Sequence, residues 1–292
     1  MSTHPPLWIT GGSGLIGRAL QEKLPCTLLN RGAEPLPSWD PLGGAVNDTK
    51  TALGALVHLA GAPIAEKRWN KSIMKAIHDS RVTGTQTIVN WLSNRPQRPS
   101  VLVSASAVGY YGDCKDQELT ESSPNGSGFL AEVCRGWEDA VHKAHEVGIR
   151  VVIIRFGVVL DPSGGALGKM LTIFRLGGGG PVGSGKQWFP WIHISDVVKL
   201  IEMAIRDERM SGVYNAVAPG IVRQKDFAKC LGKVLNRPAF TPAPAFAMKM
   251  AFGKMADEAL LASQRCTPQR TLESGFDFDY PELEPALRHL LG

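Results

Sequence analysis

Cysteine is scarce and unpatterned in this chain. Five occur, at 26, 114, 134, 230 and 266. The count is odd and no two form C-x-x-C, which argues against a disulfide framework or a zinc site. No metal is expected, and a reducing, cytoplasmic setting fits. Long apolar runs are also missing: none approaches the ~18 residues that cross a bilayer. The opening Met-Ser-Thr-His-Pro-Pro leads straight toward a strand pattern, with no basic segment followed by an apolar one. No leader peptide is therefore expected. Basic runs are missing as well. The net charge is +5, yet no five Lys or Arg residues stand together. The excess reads as a solvated surface plus a positive pocket for an anionic cofactor, with neither nucleic acid nor membrane as partner.

What is present is ordinary globular composition, 43% hydrophobic and 20% charged, arranged in a repeating order. Leu7–Thr10, Thr27–Leu29, Ala55–Ala60, Val101–Ser106 and Arg150–Phe156 read as buried strands. Gly14–Leu24, Asn70–Ser93 and Gly128–Glu146 read as helices between them. Such alternation gives an α/β fold, a doubly wound parallel sheet covered on both faces. After Phe156 the pattern changes. Gly164–Gly185 is glycine-rich and reads as irregular; Ser195–Arg206 and Val222–Leu235 read as helices, and Gly212–Ala216 as a short strand. The expected division is a dinucleotide-binding Rossmann domain over 1–164. Residues 165–292 then partly return to the sheet and partly build a smaller C-terminal substrate lobe.

The first strand runs into Gly11-Gly12-Ser13-Gly14-Leu15-Ile16-Gly17 and then a helix. Gly12, Gly14 and Gly17 satisfy G-x-G-x-x-G in the strand–turn–helix setting that gives the motif meaning. Glycines make the turn and let backbone approach a pyrophosphate, whose charge the helix N-terminus favours. The second strand ends Leu28-Leu29-Asn30-Arg31. An acid there would hold a ribose 2′-hydroxyl; Arg31 instead suits a 2′-phosphate, so NADP(H) is expected over NAD(H). A second phosphate-like motif, Gly180-Pro-Val-Gly-Ser-Gly185-Lys186-Gln187, lacks the hydroxyl after its lysine and reads as a loop beside the substrate site.

TGGSGLIG, VHLAG, SASAVGYYG and WIHISDV resemble segments of extended short-chain dehydrogenase/reductases. RW at 68–69, SRVTGT at 80–85, FGVVL at 156–160, GSGKQWFPWIHISDV at 183–197 and PQRTLESGF at 268–276 narrow the resemblance. They resemble the atypical epimerase-family proteins that carry a C-terminal extension. By that resemblance Leu59, Ala60 and Gly61 pass backbone against the cofactor, Arg81 reaches its phosphates, and Val159 borders the nicotinamide. His58 reads more readily as a satisfied sheet histidine than as a base.

The resemblance also implies a Ser, Tyr and Lys set, with the Lys four residues after the Tyr on one helix face. Ser106 matches the serine. Aligning Glu138 with the glutamate usual in that helix puts Leu130 at the tyrosine and Cys134 at the lysine. Tyr111-Gly-Asp-Cys-Lys115 does contain Tyr-x-x-x-Lys, but in a loop, where the two need not face each other. Ser106 and Tyr111 are the catalytic candidates. His193 lines the substrate pocket in this reading, and Asp196 reads as a helix N-cap. The expectation is an NADP-dependent oxidoreductase or epimerase on a small, sugar-like substrate. The alternative is an NADP(H)-sensing protein without turnover. A homodimer through the two long helices is the family-level expectation.

Overall fold

The computed structural model describes residues 6–32, 34–48 and 52–292. The opening residues 1–5, read above as lacking a leader, lie outside them. The strands are β1 (Leu7–Thr10), β2 (Thr27–Arg31), β3 (Ser38–Asp40), β4 (Ala45–Asn47), β5 (Ala55–His58), β6 (Val101–Ala107), β7 (Glu118–Leu119), β8 (Arg150–Phe156), β9 (Val158–Leu160), β10 (Trp188–Phe189), β11 (Trp191–His193), β12 (Gly212–Ala216), β13 (Val222–Arg223) and β14 (Arg265–Cys266). The helices are α1 (Leu15–Lys23), α2 (Lys71–Ser93), α3 (Phe129–His142), α4 (Gly165–Arg175), α5 (Ile194–Arg206), α6 (Gln224–Leu235), α7 (Ala245–Phe252), α8 (Gln269–Glu273) and α9 (Leu283–Leu291).

Eight strands form one sheet in the order β12-β8-β6-β5-β1-β2-β3-β4. All neighbours are parallel except β3 with β4. The expected doubly wound sheet is therefore the observed one. Its central strands are apolar on both faces because helices cover both: every residue of β1 and β5 is buried. Strand order reverses between β1 and its neighbours β2 and β5, which opens a crevice at the carboxyl ends of these strands. Each large aliphatic side chain buried here contributes roughly 1.5–3 kcal/mol.

One element was not foreseen and two local expectations change. The hairpin β3–β4 extends the sheet edge beyond β2, and its two three-residue strands are too short to show a period. α4 lies inside the stretch read as irregular; Leu167, Leu171 and Phe174 are its buried stripe, and its glycines hide the helical signal. Val222 and Arg223 pair with Trp188 and Phe189 as strand, so α6 starts at Gln224.

Candidate functional site

The glycine turn is built by contacts that leave no room for side chains. Gly11 has φ +74°, and a Cβ there would stand 2.8 Å from the Leu59 carbonyl carbon. A Cβ on Gly17 would stand 2.4 Å from the Gly11 oxygen, so α1 can seat on β1 only without one. Gly14 donates its N–H to the Gly11 carbonyl (3.0 Å). It is the N-cap of α1, with no capping side chain and no acid in the first turn. This helix start is left for an anion from outside. Gly12 packs on Leu28, Ser13 is exposed and receives Arg18 on its carbonyl (2.7 Å), and Leu15 and Ile16 are half-buried.

β1 and β5 are tied beneath the turn. Thr10 Oγ1 accepts from the N–H groups of Leu59 (3.2 Å) and Ala60 (3.3 Å). Its own hydrogen therefore goes to His58 Nδ1 (2.7 Å), and His58 Nε2 donates to Thr85 Oγ1 (3.0 Å). Burial pushes the His58 pKa down to about 4, so the ring is neutral and structural. At the end of β2, Arg31 is exposed and the Asn30 amide donates to the Pro35 carbonyl (3.2 Å). On α2, Arg81 donates to the carbonyls of Ala62 (3.0 Å) and Ile77 (3.3 Å), with its guanidinium against Gly61. On the other side, Val159 sits in β9, paired with Ile192. The following turn packs Gly164 and Gly165 onto Leu15, at 3.2 and 3.1 Å from their Cβ positions. Lys169 of α4 donates across to the Ala65 carbonyl (2.7 Å).

The structure draws Ser106 and Tyr111 together in a sealed network. Ser106 Oγ donates to Glu138 Oε1 (2.5 Å). Arg155 clamps both oxygens of Glu138, at 2.8 and 2.7 Å, and donates to Tyr111 OH (2.9 Å), which donates to Asn215 Oδ1 (2.8 Å). Ser106 is 2% and Tyr111 0% exposed. Burial pushes the Tyr111 phenol above its ordinary range. Burial opposes the charge on Arg155, yet Glu138 holds its pKa above the usual. Tyr111 lies in a 3-10 turn and Lys115 is an exposed loop residue at φ +54°, so their spacing brings no contact. Cys134 is buried and its thiol is pushed up to about 12 by that burial.

A cavity of about 600 Å³ opens between this region and the C-terminal segment. Gly109, Gly112, Ser127 and Leu130 line one side; Lys186, Arg223, Glu258 and Ser263 line the other. Leu130 thus faces the cavity where the resemblance expects a tyrosine, while neither Ser106 nor Tyr111 lines it. Ser184 and Lys186 of the Gly180–Lys186 loop line the cavity. Glu258, which the sequence reading missed, accepts the Leu130 N–H (2.7 Å) and caps α3. Nothing local marks it. Arg155 was missed too, although a lone charge inside the apolar run RVVIIRF was a signal. Two further expectations are corrected. His193 is the N-cap of α5, accepting from Ser195 N (3.0 Å); it is buried, stacked on Tyr280 (3.9 Å) and bonded to His289 (3.1 Å). Asp196 does not cap its helix but accepts from the N–H groups of Asp279 and Tyr280 (2.8 and 3.1 Å).

The NAD-dependent epimerase/dehydratase family model matches residues 7–216. The chain belongs to that family. A model described as a domain of unknown function matches residues 243–290, the segment that carries Glu258 and α7 to α9. An Arabidopsis thaliana protein, the chloroplastic homolog of the epimerase family protein SDR39U1, is 41% identical over 97% of this chain and 86% of its own. The human epimerase family protein SDR39U1 is 37% identical over 97% of this chain and 98% of its own. Its crystal structure with NADPH superposes with a TM-score of 0.89, covering 98% of each chain. A nucleoside-diphosphate sugar epimerase structure from Corynebacterium glutamicum, 35% identical, has a TM-score of 0.78 over 99% of this chain and 59% of that one. Among the described residues no helix is long and apolar enough to cross a membrane.

Proposed function

We propose that this protein binds NADP(H) across the crevice above β1, β2 and β5 and acts as an oxidoreductase or epimerase on a small substrate held in the 600 Å³ cavity. One observation carries the cofactor reading. The Gly11–Gly17 turn has no space for a Cβ, abuts Leu59 and Ala60, and ends in an uncapped helix start. Arg31, at the end of β2 with no acid beside it, suits a 2′-phosphate through its planar fork. The NADPH of the human relative supports the same choice. A bound nicotinamide supplies or accepts a hydride. The chain orients it by backbone contact at Leu59 to Gly61, by Arg81 and by Val159.

Ser106 and Tyr111 serve in this reading as supports. They complete the hydrogen bonding of the Glu138–Arg155 pair, which links α3 to β6, β8 and β12. The same sealing favours a second reading, NADP(H) sensing without turnover, because Leu130 has no proton to exchange and the Cys134 thiol, raised by burial, stays neutral and protonated at pH 7. Five free thiols fit a reducing compartment, the cytosol.

A fluorescence titration with NADPH and NADH, on the wild type and Arg31→Ala, tests the cofactor. NADPH is expected to bind more tightly and to lose that advantage in the variant. Binding of neither dinucleotide by the wild type overturns the reading. NADPH consumption with a panel of small carbonyl compounds then separates turnover from sensing.

A further inference from the structure

Eight large apolar side chains stand exposed among the described residues, and five of them fall in two segments. These are Ile173, Leu176, Phe240, Phe246 and Met250, between 55% and 83% exposed. The fold lays the two segments side by side. Arg237 Nε donates to the Arg175 carbonyl (3.0 Å). The N–H groups of Thr241 and Ala243 donate to the carbonyls of Gly179 (3.1 Å) and Pro181 (2.8 Å), and Val182 bridges to Ala243. The end of α4 and residues 176–182 thus run along 237–243, and α7 starts just after that ladder ends. Phe246 and Met250 are four residues apart on α7, a spacing that shares one helix face. Seven of the eight residues of α7 are apolar, yet none is buried. A contiguous apolar strip of this kind marks an interaction surface.

The charge around the strip has one sign. Residues 162–195 and 227–256 hold eight Lys and Arg residues and no Asp or Glu. Arg175 and Arg237, next to Leu176, are exposed and have no carboxylate within ion-pair distance among the described residues. The acids just beyond α7, Asp257 and Glu258, are taken up by Lys249 and Lys254. These cations are scattered along the chain and form no run; the fold gathers them around apolar side chains. Two-fold pairing of the strip with a second copy would set cation against cation. None of the five apolar side chains lines a cavity that a partner's side chain could fill. Bulky apolar groups that stand out from the surface, fringed by unpaired cations, match the boundary of an anionic bilayer.

We infer that this strip docks the protein on the surface of an anionic lipid bilayer, with Leu176, Phe240, Phe246 and Met250 seated among the headgroups and Arg175 and Arg237 on lipid phosphates. The inference departs from the sequence expectation of no membrane partner, and it stands apart from the cofactor reading. α7 also lines the cavity through Ala245 and Lys249, so one helix borders both the cavity and the docked surface.

Co-sedimentation of the full chain with vesicles tests it. Vesicles of equal parts phosphatidylcholine and phosphatidylglycerol are expected to carry the protein down, and vesicles of phosphatidylcholine alone far less. Added salt weakens the binding. Phe240→Ser with Phe246→Ser is expected to weaken it about tenfold or more, the loss of inserted apolar surface. Arg175→Gln with Arg237→Gln is expected to weaken it about tenfold, through the lost attraction to lipid phosphates. Lys23→Gln with Lys143→Gln removes the same charge from exposed sites before the starts of β2 and β8. That control is expected to stay within about twofold, because distant charges are screened. All these side chains are exposed, so each variant keeps the wild-type melting temperature. Sedimentation with neither vesicle, equal sedimentation with both, or as large a loss in the Lys23, Lys143 control overturns the inference. So does vesicle binding that survives the double serine variant, or a dimer in light scattering that Phe246→Ser dissociates.

Discussion

Arg155 grips the Glu138 carboxylate edge-on in a two-point fork, Nε to Oε1 at 2.8 Å and Nη2 to Oε2 at 2.7 Å, with 3% and 6% of the two side chains exposed. Ser106, Tyr111, Asn215 and the Glu121 carbonyl complete the shell around the pair. Removing one partner leaves a buried charge. Glu138→Gln or Arg155→Met should each cost about 3–5 kcal/mol of stability. The double variant Glu138→Leu, Arg155→Met should lose less than the sum. Urea unfolding of the three variants measures this; single losses under about 1 kcal/mol would show that the pair is hydrated.

Gly17 tests the glycine turn independently of any ligand. An alanine methyl at 2.4 Å from the Gly11 oxygen forces α1 away from β1. Gly17→Ala should lower the melting temperature and abolish NADPH binding together. Gly32→Ala is the control for added bulk, because nothing lies within 4 Å of its Cβ position, although its φ of +115° brings backbone strain of its own. A Gly17→Ala protein as stable as the wild type would refute the packing argument.

The histidines make stability depend on acid. Burial pushes His58 and His193 down to about 4 from the ordinary 6.5, with His289 adding to the effect at His193. Between pH 6.5 and 4 the unfolded chain binds protons that the folded chain refuses. Stability contributed by these rings is complete above 6.5 and falls as the pH drops toward 4. Each contributes a slope of up to about 1.4 kcal/mol per pH unit in that window. Denaturant midpoints at pH 7.5, 5.5 and 4.5 should show the fall, and His58→Gln should flatten it. An unchanged slope in that variant would mean that other groups carry it.

Cys134 and Cys266 should resist alkylation. Burial raises both thiols, Cys134 to about 12, and both are almost fully shielded. Mass spectrometry after iodoacetamide at pH 7.5 should find them unlabelled until denaturant is added. Rapid native labelling of Cys134 would show that its thiol is reachable and ionised.

Much of the fold was legible because its signals are local. Leu7 to Gly17 contains the strand, turn and helix start in eleven consecutive residues, and ALVH and VVII declare buried strands by content alone. β3 and β4 escaped because three residues carry no period, and α4 because glycine masked its apolar stripe. At the site, the loop character of Lys115, the structural role of His58 and the place of the Gly180–Lys186 loop could be argued from neighbours in the chain. The roles of Tyr111, His193 and Asp196 could not.

The sequence by itself determined the alternating α/β order and the glycine turn, since backbone freedom and periodicity act over a few residues. Its resemblance to the short-chain dehydrogenases implies that Leu130 and Cys134 stand where that family carries a proton carrier and a cation. Only the tertiary structure decided that Ser106 and Tyr111 are sealed, because Glu138, Arg155 and Asn215 reach them from 32, 44 and 104 residues away. Only it put Glu258 on the start of α3, 128 residues from its partner. It likewise gave Arg81 two backbone carbonyls and, among the described residues, no carboxylate. Burial and charge pairing are sums over neighbours in space, and the chain order does not contain them.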